Sequence, residues 1–175
     1  VVIDNLSCDI TFDANKILIE TLTALFNSEQ LKGNAVIDSK KIKADIDLQK
    51  YKHNELAIEN IKGKITYSDN VISSNDLKFN VFGGSVSSKN CKLIFAQKEN
   101  ILNANCEVKN INIKQAFKTL DNFSQNVITD KNLEGDLSAN GVLNLYFDKN
   151  FNFLSDKSSF NINYNITKGR LKDFS

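Results

Sequence analysis

The chain has 175 residues, a length typical of one domain, and 41% of them are hydrophobic while 25% are charged. This composition is sufficient for a folded core and excludes a disordered chain. The 22 basic and 21 acidic residues nearly cancel, so charge gives no reason to expect a nucleic-acid partner. No run reaches the roughly 18–20 apolar residues of a transmembrane helix.

The first predicted elements are a strand and a helix. Residues 6–13 alternate strictly between apolar and polar side chains, which predicts a strand with one apolar and one polar face. Residues 16–27 break this alternation, and Leu18, Leu22 and Leu25 follow the i, i+4, i+7 spacing of a helix. We therefore predict a short amphipathic helix directly after the first strand.

Further alternating runs follow along the chain and predict more strands. They cover residues 42–48, 61–67, 77–81, 102–109 and 160–166. Turn residues lie between the runs, at 39–40, 68–70, 83–84, 89–90 and 148–150. Short turns between amphipathic strands indicate an antiparallel meander in which one face is in contact with water.

A second predicted helix covers residues 112–122. Ala116, Leu120 and Phe123 repeat the i, i+4, i+7 spacing, and Asn112 is a suitable N-cap because its side chain accepts a hydrogen bond from a backbone amide of the first turn. The two helices together are too short to cover a sheet of this many strands.

The longest alternating run extends from Leu133 to Phe147. It contains Asn140-Gly141, a common hairpin turn. A two-residue turn there would send Leu143 to the polar face, so we predict one continuous strand of roughly 50 Å, at ~3.3 Å per residue. Gly135 and Gly141 are predicted to mark bends or bulges in it.

These elements define a mainly β fold: a long curved antiparallel sheet, forming a β-groove or open half-barrel of repeating strands, with two short amphipathic helices. The chain has no methionine, and we interpret residues 1–175 as one segment of a longer protein. An apolar-x-Gly step follows both helices and indicates an internal repeat relating 1–75 to 90–167. The alternative is that this step is a common accident of strand starts.

The sequence contains no catalytic or metal-binding constellation. His53 is the single histidine, and we interpret it as a solvated loop residue. Asp45 and Asp47 share a strand face with a lysine, as in an ordinary solvated face. The three cysteines are too scattered for a zinc site or a disulfide framework, and we interpret them as buried thiols, with one chance disulfide as the alternative. We predict no enzyme, no cofactor and no metal.

Three stretches resemble the AsmA-like family of bacterial envelope proteins. They are 77–87, where a strand, Phe82-Gly83-Gly84 and a second strand follow one another; the helix 113–120; and 128–174, which resembles the C-terminal AsmA block. Lys168-Gly169 departs from the Asn-Gly expected at that turn. The resemblance implies a protein anchored in the inner membrane by a segment outside this chain. It also implies a periplasmic part that forms a β-groove for phospholipid transport or outer-membrane maintenance.

This resemblance and the uncovered apolar face lead to the same functional hypothesis, which is binding of a phospholipid or other acyl-chain lipid. The alternative is a structural or adhesive β-module with an ordinary packed core. The residues expected to face lipid are Leu77, Phe79, Val81, Leu102, Val108, Leu137, Leu143, Leu145, Phe147, Ile162 and Tyr164.

Overall fold

A computed structural model describes residues 2–124 and 126–172, including their side chains except those of residues 53, 123 and 124. The strands are β1 Ile3–Asp13, β2 Lys16–Phe26, β3 Glu29–Asp38, β4 Lys41–His53, β5 Leu56–Ser68, β6 Val71–Ser74, β7 Leu77–Val81, β8 Gly84–Phe95, β9 Asn100–Asn112, β10 Leu133–Phe147 and β11 Ser159–Leu171. One helix, α1 at Ile113–Thr119, and a 3₁₀ turn at Asp121–Ser124 separate β9 from β10.

All eleven strands form one antiparallel sheet, and neighbours in sequence are neighbours in space. The short strands β6 and β7 lie end to end between β5 and β8, so the eleven strands occupy ten positions. The order runs from β1 to β11 without closing into a barrel. The predicted mainly β, antiparallel sheet is therefore confirmed.

The long strand is also confirmed, since β10 extends from Leu133 to Phe147 without a turn at Asn140. Gly141 pairs with Cys106 on one side and with Ile162 on the other, so the chain stays in the ladder at this point. The continuous apolar alternation therefore predicts this strand better than the local turn signal does.

The two glycines of β10 have different roles. Gly135 has a φ of 137° and lies in a register shift against β11, as predicted. At Gly141 both ladders are continuous, so the expected bulge is absent there. A Cβ atom at Gly141 would overlap the carbonyl oxygen of Asn161 and lie 2.8 Å from the Cα of Ile162. Glycine is needed here because β11 approaches closely.

The first predicted helix is wrong, because residues 16–26 form β2. Its register against β3 slips: Ile19 pairs with Ala35 and Leu22 with Gly33, so β2 has one extra residue between them. Beyond a bulge, the odd-numbered and even-numbered residues of the strand exchange faces of the sheet. The resulting spacing of three between Ile19 and Leu22 imitates a helical repeat. The helix expected in both halves of the repeat therefore exists only in the second half; the repeat itself stays a prediction.

The second predicted helix is confirmed with a shorter extent, as α1. The Asn112 side chain accepts a hydrogen bond from the backbone amide of Gln115 at 2.8 Å, as expected of an N-cap. The helix ends at Thr119, and a 3₁₀ turn follows, instead of continuing to residue 122. Ile113 is its one buried residue.

The predicted turn at Lys89-Asn90 is wrong, because both residues lie inside β8. Lys89 pairs with Asn105 and Lys92 with Asn103, which leaves one extra residue in β8 and identifies a β-bulge. The turn residues at 39–40, 69–70, 83 and 149–150 do connect strands or end them, as predicted. An asparagine in an alternating run can therefore indicate a bulge as well as a turn.

Five bulges share one backbone geometry. In each, two residues of one strand face one residue of the partner, and one of the two has a φ between 52° and 54°. Four of these left-handed residues are asparagines, which tolerate that conformation better than most side chains. The five positions are Asn5, Asn60, Asn90, Asn110 and Lys168. Since bulges bend strands and increase their twist, we expect each of these five positions to bend its strand locally.

Candidate functional site

The register places most of the large apolar side chains on one side of the sheet, which we call the apolar face; Val71, Ile94, Ile101 and Tyr146 are among those that point to the other side. Directly paired residues point to the same side. Leu145 pairs with Leu102, which pairs with Leu93, and Leu93 with Ile72. The same rule applied to every ladder extends this face from β10 to both edges of the sheet.

In several strands the apolar residues shift from odd to even positions, or the reverse. A bulge at that point keeps them on the apolar face. Its larger apolar members in the first half are Ile10, Phe12, Ile17, Ile19, Leu22, Leu31, Ile37, Ile42, Ile46, Leu48, Tyr51, Ile58, Ile61, Ile65 and Tyr67. In the second half they are Ile72, Leu77, Phe79, Val81, Val86, Leu93, Phe95, Leu102, Val108, Ile111, Leu137, Leu143, Leu145, Phe147, Phe160, Ile162, Tyr164 and Ile166.

All eleven residues predicted to face lipid lie on the apolar face. Nine of them are half-buried, whereas Ile162 is 38% exposed and Tyr164 is 72% exposed because both lie on the outermost strand. The prediction omitted the first five strands, which contribute an equally continuous part of the face. Alternation was visible in β1, β4 and β5, whereas β2 was predicted as a helix, and the sequence did not show the register that joins these strands to the rest.

Little of the apolar face is covered by other parts of the described chain. Among the described residues, only Ala24, Ala104, Ile111 and Ile113 are apolar and less than one-tenth exposed. Ile111 and Ile113 lie at the junction of β9 with α1. Within the described chain, the sheet is therefore closely packed in one small region beside the helix, and no second layer covers the rest of the apolar face.

A cluster of phenylalanines covers the opposite end of β10. The ring centroids of Phe147 and Phe151 are 6.1 Å apart, and those of Phe147 and Phe153 are 5.9 Å apart. Phe95 of β8 meets Phe151 edge to face at 6.4 Å. These distances are typical of favourable aromatic pairs. Phe151 and Phe153 nevertheless remain more than half exposed.

A shallow apolar hollow lies on the apolar face beside Gly141. It has a volume of about 70 Å³, and its lining is formed mainly by Cys106, Val108, Ala139, Leu143 and Ile162. Such a hollow has the size and polarity to take a few methylene groups, and it contains no group for acid–base chemistry.

A small polar group interrupts the apolar face where β6, β8 and β9 meet. Ser74 is 5% exposed and Ser88 is 4% exposed. The Ser88 hydroxyl donates to the Asn105 carbonyl at 3.0 Å and accepts from the Cys106 thiol at 3.8 Å. Burial raises the pKa of the Cys91 thiol, which favours the neutral and unreactive form. Sequence reasoning missed these serines because they look like breaks in the alternation.

The three cysteines are free thiols, and all of them are half-buried, where the sequence predicted buried thiols. His53 is the last residue of β4, not a loop residue, and its side chain lies outside the described residues. On the polar face, Asp47 pairs with Lys62 at 2.9 Å, both largely exposed. Within the described chain no group of three or more potential ligands is arranged to hold a metal ion.

A hollow of about 440 Å³ on the polar face is lined by charged residues of β10, β11 and α1. Its two carboxylates are already paired: Glu134 with Lys172 at 2.7 Å and Asp136 with Lys168 at 3.2 Å. The hydrogen bond from Lys172 holds the pKa of Glu134 below its ordinary value. This hollow is therefore a solvated ion-pair network on the opposite side from the apolar face.

Comparison with profiles of known protein families, with curated proteins and with solved structures finds no match for this chain. Among the described residues, none of the helical segments has the length and hydrophobicity to cross a membrane. The functional argument therefore depends on the apolar face itself.

Proposed function

We propose that the apolar face binds the acyl chains of a phospholipid or a related lipid. The supporting observation is the extent of this face: it crosses every strand of the sheet, and only four of the described apolar residues are nearly buried. Burial of apolar surface contributes about 25 cal/mol per Å², so a lipid chain lying along the half-buried side chains would be strongly stabilised. Such binding needs neither a cofactor nor a proton transfer.

The wider role follows from the AsmA-like resemblance of residues 77–174. We propose that the chain is a non-enzymatic segment of a bacterial envelope protein, anchored in the inner membrane through another segment and exposed to the periplasm. Its task is phospholipid transport or outer-membrane assembly and maintenance. The alternative, a structural or adhesive module, requires a packed core, and the scarcity of buried apolar side chains favours the lipid-binding proposal.

Site-specific photocrosslinking tests the proposal at two neighbouring residues. Ile162 points to the apolar face and Asn163 to the polar face of the same edge strand. We place a photoreactive phenylalanine at either position and add vesicles of phosphatidylethanolamine and phosphatidylglycerol. The expected result is a lipid adduct in the intact-mass spectrum at position 162 and none at 163.

Two results would contradict lipid binding by this face. One is equal labelling at the two positions, which would indicate contact without a preferred side. The other is no adduct at position 162, nor at a second apolar-face position such as Leu145, in protein whose circular dichroism matches that of the unmodified chain.

A further inference from the structure

The hollow beside Gly141 is walled by side chains of three neighbouring strands, β9, β10 and β11. These walls are mainly Cys106, Val108, Ala139, Leu143 and Ile162. The hollow lies across the two ladders that join the strands, since Cys106 pairs with Gly141 and Gly141 with Ile162. Its shape is therefore set by strand register, and no turn or loop takes part in it.

Along β10, the residues of the apolar face change from large to small and back to large. Leu137 and Leu143 lie on either side of Ala139 and Gly141. Residues of a strand rise by ~3.3 Å each, so the two leucines are roughly 20 Å apart along the strand. A straight acyl chain that lies along β10 and rests on both leucines would therefore pass over the hollow without filling it.

The surface of the hollow is almost entirely apolar. Its thiol, at Cys106, already donates to the Ser88 hydroxyl at 3.8 Å. Asn140 also borders the hollow, but it pairs with Glu107 and Asn163, so its side chain points to the polar face. Among the described residues that line the hollow, a polar headgroup would find no hydrogen-bond partner to replace its water. The occupant that fits is therefore hydrocarbon.

The volume of the hollow, about 70 Å³, limits what part of a lipid it can hold. About 10–15 Å³ is enough for one water-sized group, so the hollow takes a few carbon atoms and not a whole chain. Left empty, it deprives the surrounding side chains of dispersion contacts. A carbon that projects from the side of an acyl chain would fill it, while the main line of the chain stays on the leucines. Methyl branches and cyclopropane rings both supply such a carbon.

We propose that this hollow selects acyl chains with a one-carbon side group over straight saturated chains. The inference rests on the proposed binding of lipid to the apolar face, and it specifies which chains that face prefers. Burial of one additional methylene-sized group favours binding by about fourfold, which is the preference expected per chain. Ala139 determines the selection, because its side chain lines the hollow and a larger one would occupy the same space.

Competition between lipids in mixed vesicles measures this preference. The vesicles contain equal amounts of three phosphatidylethanolamines, with straight saturated, methyl-branched or cyclopropane-containing chains. The protein is incubated with them and separated, and its bound lipids are quantified by mass spectrometry. We expect the lipids with a side group to be enriched about fourfold over the straight-chain lipid. Enrichment of only one of the two identifies the source of the side group.

Variants separate the hollow from the rest of the apolar face. Ala139→Leu fills the hollow, so the variant should still bind lipid but with a ratio near one. Ala44→Leu is the matched control: it makes the same change at a half-buried position of β4, between Ala35 and Ile65 on the apolar face, and should keep the fourfold ratio. Ala139→Val adds less volume and should give an intermediate ratio, which keeps the test valid if the leucine variant fails to fold.

Thiol labelling locates the bound chain, because Cys106 lines the hollow and is half-buried. The protein is treated with N-ethylmaleimide in the presence of one lipid at a time, and peptide mass spectrometry follows each cysteine separately. A lipid with a side group should slow the labelling of Cys106 more than the straight-chain lipid does. Cys8 lies on the apolar face of β1, far from the hollow in the strand order, and its labelling should not distinguish the lipids.

Four results would overturn the inference. Recovery of the three lipids in equal amounts, or equal protection of Cys106 by all of them, would refute selection by the hollow and leave lipid binding intact. A fourfold ratio that survives in Ala139→Leu would place the selection elsewhere. Absence of any bound lipid from the unmodified protein would refute the proposed function, and this inference with it.

Discussion

The first five strands and the last four belong to one sheet but differ in how their apolar face is covered. From β1 to β5 the buried apolar set is Ala24 alone, and the side chains of the face are held mainly by their cross-strand neighbours. From β8 to β11 the set includes Ala104 and Ile111, and α1 and the phenylalanine cluster lie at the two ends. Hydrogen-bonded ladders suffice to form strands, but burial requires an element above the face.

The largest effect is expected where the covered region is opened. Ile113→Ala removes a side chain that is 7% exposed at the contact between α1 and the sheet, and should lower the free energy of unfolding by about 3 kcal/mol. Ile46→Ala, the same change at a half-buried position of β4, should cost about 1 kcal/mol. Urea unfolding of both variants measures the difference. Equal losses would mean that the two regions are covered alike.

A smaller loss is expected at a close approach between strands. Gly141→Ala places a Cβ against the backbone of β11 and should lower the free energy of unfolding by about 2 kcal/mol. Gly63→Ala is the control, because its nearest atoms are the Cα and Cδ1 of Leu77 at 3.3 Å and a small adjustment is enough. A larger loss at Gly63 in the same urea titration would contradict this explanation.

A gain in stability is expected at the bulge of β11. Lys168→Asn puts asparagine where the other four bulges of this geometry have it, and should raise the free energy of unfolding by ~0.5 kcal/mol. The ion pair lost with Asp136 is weak, since the Lys168 side chain is 84% exposed. Asn60→Lys is the reverse change and should be destabilising. If both variants changed the free energy of unfolding in the same direction, a preference for asparagine in the left-handed conformation could not be the cause.

The smallest effect concerns pH and the turn after β10. The Asn152 side chain donates to Asp148 at 2.7 Å, and two backbone amides also donate, which lowers the pKa of Asp148 from its ordinary 3.8. A lowered pKa stabilises the fold above pH 3.8, and the contribution is lost as pH falls through the folded value. Asp148→Asn should therefore reduce the Tm at neutral pH. The difference in Tm between this variant and the unmodified chain should disappear at acid pH.

Asp69→Asn serves as its control. Asp69 lies in another turn and accepts a hydrogen bond from the neighbouring Ser68 hydroxyl, so its replacement should change the Tm less at neutral pH. The assigned role of the Asp148 carboxylate would be contradicted if the difference in Tm between Asp148→Asn and the unmodified chain stayed constant from neutral to acid pH.

Strands were predictable where alternation was unbroken, as in the long run Leu133–Phe147. The helix after Asn112 was predictable from its spacing and its N-cap. Prediction failed at residues 16–26 and at Lys89-Asn90, where a bulge changes the parity without leaving the sheet. A bulge depends on the partner strand, so a single stretch of sequence cannot distinguish it from a helical repeat or a turn. The members of the apolar face were visible in the strands with unbroken alternation, but their union into one surface depends on register, which only the structure supplies.

The order of the sheet has a consequence for how the chain acquires its structure. Most ladders join strands that are close in sequence, so closing such a hairpin requires only a short loop and a small loss of entropy; the connection of β9 to β10, residues 113–132, is the longest. A hairpin formed anywhere can then extend in both directions by adding the next segment to its margin, as in repeat proteins. The meander can therefore form progressively from its first strands onward, before the later strands of the polypeptide are available.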